Sequence, residues 1–219
     1  LWLAWSLYRL GDMERAEAVG RPGQVLIARA FQGDFDAVDR MIAEADFQSG
    51  ERLGLFQGSS AYLSWRGRHA DIIDIVDDEF GGLDVLLKEL PVSALFGTNY
   101  LGNLAKAYRE EGMTEEFDTT IQAMRSTLET QRARGSDTWV HWMSEAEYAA
   151  LTGDVEAAVG HLQTALDKGF ASVEPPLRAL ELLENDPRFE AILVTSLERA
   201  NQERAELGMG PYERPLFLE

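Results

Sequence analysis

Between Val140 and Lys168, two stretches of helical periodicity are separated by only three residues, Thr152-Gly153-Asp154. A link that short leaves two helices one arrangement, folded back on each other as a hairpin. In the first stretch Trp142, Ala146 and Ala149 recur on one face, and in the second Ala158, Leu162 and Ala165 do the same. Each helix therefore has one apolar stripe to bury. Gly153 is free to take the left-handed backbone of a tight turn, and Asp154 can accept a hydrogen bond from a free N–H in the next helix's first turn. The alanines let the two helices approach closely.

The pattern recurs along the chain. Gly11-Asp12, Gly33-Asp34, Gly67-Arg68 and Gly112-Met113 each sit between two amphipathic runs. Around Gly112 the equivalent apolar positions are Leu101, Ala105, Tyr108, Phe117 and Ile121; around Gly67 they are Phe56, Ser60, Leu63, Ile72 and Val76. The Gly11 unit keeps Ala4 and Ala16, while the Gly33 unit has Pro22 and Arg29 where apolar residues are expected. The glycines are spaced by 22, 34, 45 and 41 residues, so the loops are unequal.

In these residues the chain resembles a tetratricopeptide-repeat array, built from hairpins of about 34 residues with large and small apolar residues at fixed positions. The resemblance implies an all-α fold: an α-α superhelix of about five degenerate hairpins. The turns are expected near 11, 33, 67, 112 and 153, with a capping helix over 186–208 closing a repeat domain of residues 1–208 and a loose tail at 209–219. Firm breaks are expected at Gly20-Arg21-Pro22-Gly23, Phe47 to Gly50, Gly81-Gly82 and Pro91. The cap begins at Asp186-Pro187-Arg188-Phe189. Asp186 suits an N-cap, Pro187 suits the first helical position, and Phe189, Ile192 and Leu193 form the stripe to be buried. An array followed by such a helix also looks like the C-terminal repeat domains of bacterial regulators, where it follows a nucleotide-cyclase or a winged-helix domain, sometimes with a TolB-like segment between.

Composition limits the functions open to the chain. Its 219 residues can bury a sizeable core, and 45% of them are apolar. A formal charge of −18 repels nucleic acids and anionic membranes, so neither is an expected partner of this segment. No run of about 18 apolar residues suggests membrane insertion. The chain opens in mid-pattern at Leu1-Trp2-Leu3-Ala4, as a segment of a longer protein would, with no signal peptide visible. The compartment is open, with the cytoplasm expected, or the periplasm if an anchor precedes this segment. Without cysteine there are no disulfides, thiolate metal sites or cysteine nucleophiles.

Motifs for chemistry are weak. Gly97 to Gly102 has phosphate-loop glycine spacing, but Asn103 and Leu104 replace the required Lys and Ser/Thr. Asp71, Asp74, Asp77, Asp78 and Glu79 read as a solvated helix face rather than a calcium loop. His141 and Glu145, at i and i+4, could share a metal but read as a surface contact. No enzymatic activity and no cofactor or metal are expected.

The expected function is a non-enzymatic interaction module within a larger bacterial signalling protein, binding a protein, a peptide or a neighbouring domain; self-association into a homo-oligomer is open. The alternative is a small-molecule sensor with an apolar cleft near Trp65, Tyr100, Trp139 and Trp142 that controls an upstream effector. Repeats of the resembled family line a concave groove with first-helix positions pointing away from the second helix. On this sequence that implies a binding face of Asn99, Lys106 and Arg109, of Gln57, Ser64 and Trp65, and of Met143 and Glu147. Lys106 and Arg109 lie one turn apart in a chain poor in cations and, with Asn99, could grip a carboxylate or an acidic peptide.

Overall fold

The computed structural model describes residues 2–89, 97–172 and 178–212. Among these residues it is all-α, with no strand: twelve α-helices and one 3-10 helix. The helices are α1 (Trp2–Arg9), α2 (Met13–Val19), α3 (Pro22–Phe31), α4 (Phe35–Ala43), α5 (Arg52–Trp65) and α6 (His69–Phe80). There follow α7 (Leu83–Glu89), α8 (Gly97–Glu110), α9 (Thr114–Ala133), α10 (Trp139–Leu151) and α11 (Val155–Asp167). The 3-10 helix (Arg178–Leu183) then leads to α12 (Pro187–Glu206).

Gly11, Gly33, Gly67, Gly112 and Gly153 stand between paired helices with φ between 67° and 84°. In each turn the residue after the glycine donates its N–H to the carbonyl five residues earlier, as from Asp154 to Ala149 at 2.8 Å and from Met113 to Tyr108 at 2.8 Å. This closure satisfies carbonyls that the helix end leaves free, and it requires the left-handed residue in the middle. In three of the five turns the next residue also caps the second helix. Asp12 accepts from the Arg15 N–H, Asp34 from Ala37 and Asp154 from Ala157. Arg68 and Met113 make no side-chain cap.

The break expected at Gly20-Arg21-Pro22-Gly23 is confined to Gly20 and Arg21, which are extended between α2 and α3. Pro22 opens α3, where its missing N–H costs nothing, and Gly23 is helical. The glycine is there for contact: a Cβ on Gly23 would stand 1.8 Å from the Gly54 carbonyl oxygen, and one on Gly58 would stand 2.2 Å from the Gly23 oxygen. Backbone thus meets backbone where α3 crosses α5. α8 is described from Gly97 onward; residues 90–96, with Pro91, lie outside those described. Gly97 to Gly102 is the first part of α8 rather than a loop.

α8 packs on α5, α6, α9 and α10, and α10 packs on α8, α9, α11 and the 3-10 helix. One apolar cluster unites α3 to α9 around Phe56, Leu63, Ile72, Leu104 and Tyr108. A second joins α10, α11 and α12 and includes Leu180 and Leu183 of the 3-10 helix. Asp186 caps α12 by accepting from the Arg188 N–H at 2.9 Å, and Phe189 and Ile192 are buried.

α12 also returns to the first hairpin. Arg204 donates to the carbonyls of Leu10 and Gly210, and Arg9 donates to Ala171 O while lying 4.7 Å from the Trp139 ring. Tyr212, expected in a loose tail, exchanges hydrogen bonds with Asn201 at 2.7 and 3.2 Å. Residues 213–219 lie outside those described.

Candidate functional site

α8 and α10 carry the side chains from which a site can be built, because neighbours surround both helices and their polar residues are forced inward. Lys106, on α8, is 3% exposed, and its Nζ lies 2.7 Å from Glu181 Oε2 and 3.2 Å from Glu110 Oε1. Glu181 belongs to the 3-10 helix, which lies across α8 and α10 and buries Leu180 and Leu183 beside Met143, Ala146 and Ala150. The chain's own segment thus delivers a carboxylate to the lysine.

Arg109 joins the same group, with Nη2 3.6 Å from Glu110 Oε1. Partial burial pushes the Glu110 carboxyl up, but the hydrogen bond and charge of Lys106 outweigh it and hold it below the ordinary range. His69, at the start of α6, is drawn down by burial and then by the Lys106 charge, and its buried Nδ1 has no hydrogen-bond partner.

Glu147, on α10, is 0% exposed, and neither carboxylate oxygen has a hydrogen-bond partner. It lies directly on the backbone of α8: a Cβ on Gly102 would stand 2.9 Å from Glu147 Oε1. Burial raises the carboxyl well above its ordinary 4.5, since the low-dielectric interior disfavours the charged form. Gly102 is the residue that makes room for it.

The other residues expected on the binding face are scattered. Gln57 is half-buried and accepts a 3.3 Å hydrogen bond from the Tyr100 hydroxyl. Ser64 is buried with its Oγ unpartnered. Trp65 packs edge-on against Phe35 with ring centres 5.3 Å apart. Met143 is buried in the second apolar cluster. Asn99 is in the first turn of α8, but its side chain lies outside the described residues. Of the eight, Lys106 and Arg109 converge on one carboxylate, and Glu147 faces the same helix one turn earlier.

Sequence reasoning missed Glu181 and His69, which are 75 and 37 residues from Lys106 and share no motif with it. It also misplaced the pair of His141 and Glu145. Their contact of 3.3 Å exists, but both are buried at 3% and 1% exposure rather than on the surface. Arg132 reaches Glu145 through Nε at 2.7 Å and again through Nη2, and Gln131 Oε1 lies 3.0 Å from His141 Nδ1. Burial depresses His141 first, the Glu145 charge opposes this, and Arg132 adds to it; the net shift is downward.

Trp65 and Tyr100 pack with the first apolar cluster, Trp139 and Trp142 with the second. The four do not form one apolar cleft. No family model, curated protein or solved structure matches the chain.

Proposed function

We propose that the chain is a non-enzymatic interaction module, a degenerate tetratricopeptide-like superhelix within a larger bacterial regulatory protein, whose α8/α10 face receives a carboxylate-bearing peptide segment. One observation carries this reading: Lys106, almost without solvent exposure, is held 2.7 Å from the carboxylate of Glu181, delivered by a short segment lying across both helices. A buried lysine needs an anionic partner, and charge-assisted contacts of this length are the strong kind. The face therefore takes acidic segments, and in the isolated chain the occupant is internal.

The test uses a fluorescein-labelled, C-terminally amidated peptide with a Glu-Ala-Ala core in a neutral alanine-serine frame. Anisotropy is followed against the full chain carrying Glu181→Gln, which weakens the internal occupant, and against the same chain with Lys106→Ala added. Binding to the first and at least tenfold weaker binding to the second, at equal helical content, supports the reading. Equal binding to both contradicts it.

A further inference from the structure

We propose that Glu147 is a second recognition point on this face, taking a cationic side chain that the partner peptide carries two residues from the carboxylate held by Lys106. This rests on the reading of the α8/α10 face as one that receives an acidic segment. Glu147 is completely buried, and both its oxygens lack a hydrogen-bond partner. A carboxyl in that position is costly unless something donates to it, and buried polar groups are otherwise almost always paired. The chain's own occupant meets only half of the requirement: Glu181 satisfies Lys106, and Glu147 receives nothing.

The spacing defines the missing group. Glu147 lies against Gly102, four residues before Lys106 on α8, and so on the same side of that helix. Four residues at 1.5 Å of rise separate the two points by about 6 Å. In an extended peptide, side chains at i and i+2 share a face and stand about 7 Å apart. A peptide running along α8 with Glu and Lys or Arg two residues apart would meet both points together, its cation ionising Glu147 as it pairs. The 3-10 helix lies across α8 and α10, so such a peptide takes its place rather than joining it.

The test compares two labelled, amidated peptides of identical composition and net charge. One has a Glu-Ala-Lys core; in the other four alanines separate Glu from Lys. Both are titrated into the full chain carrying Glu181→Gln, and into that chain with Glu147→Gln added, a nearly isosteric change. The close-spaced peptide is expected to bind at least tenfold more tightly to the first protein, as one added charge-assisted hydrogen bond gives, and equally with its isomer to the second. Equal binding of the two peptides to the first protein overturns the role of Glu147. If that binding is still lost with Lys106→Ala, the carboxylate reading survives; failure of every peptide to bind overturns both.

Discussion

Replacing Gly58 with alanine should destabilise the protein, whereas the same change at Gly54, one turn earlier in the same helix, should stabilise it. A Cβ on Gly58 would stand 2.2 Å from the Gly23 carbonyl oxygen and 2.8 Å from its Cα, so α3 and α5 must separate by roughly 1 Å to reach ordinary contact. A gap of that size forfeits a quarter to a half of each dispersion contact along the crossing, which holds Leu26, Leu55 and Phe56. Overpacking of this kind costs about 1–3 kcal/mol, and backbone against backbone leaves no flexible side chain to yield, which places Gly58→Ala near the upper end. The intrinsic helical advantage of alanine returns about 1 kcal/mol, leaving a net loss on the order of 2 kcal/mol. A Cβ on Gly54 would meet only the Glu51 carboxylate, at 3.9 Å, so that substitution keeps the gain of about 1 kcal/mol. Urea unfolding followed by circular dichroism reads both variants. With a slope of about 2–3 kcal/mol per molar, the Gly58 variant should unfold at a midpoint lower by about 0.7–1 M and the Gly54 variant at a higher one. Midpoints that move in the same direction would refute the close crossing.

Glu147→Gln should flatten part of the dependence of stability on pH. The carboxyl is held well above 4.5 in the fold, so above that pH the unfolded chain ionises while the fold keeps its proton, and stability falls by about 1.4 kcal/mol per pH unit. Unfolding free energies of the two proteins that run parallel from pH 5 to 7 would contradict this. The three histidines are all depressed, burial being the first cause in each, so their ring protons should titrate below 6.5 by NMR. Stability linked to them is present above 6.5 and lost as pH falls towards the folded values; a ring titrating above 6.5 would contradict the burial. Ala158 is fully buried between α10 and α11, so Ala158→Phe should cost on the order of 1–3 kcal/mol, and an unchanged urea midpoint would contradict that.

The helices were legible because their signals are local. Period, capping aspartates and turn glycines all act within a few residues, and the boundaries of α10 and α11 fall within about a residue of those the sequence suggests. What the sequence hid depends on distant partners. Gly23 read as a breaker because its reason, the Gly54 backbone, lies 31 residues away. The 3-10 helix has too few residues to show a period, yet it decides which face of α8 meets water. For that reason Lys106 and Glu147, expected in an open groove, are enclosed. The contact of Arg204 with Leu10 spans 194 residues and joins the last helix to the first turn, which no repeat pattern signals.

Hydrogen exchange of the amides in residues 178–183, with and without a saturating concentration of the Glu-Ala-Lys peptide, tests most directly whether the α8/α10 face is a peptide site held by the chain's own segment. In the unsubstituted protein the peptide should speed exchange across 178–183 while leaving the α8 and α10 amides protected, because one occupant replaces the other. Exchange in 178–183 that stays unchanged while the peptide is bound would contradict the account.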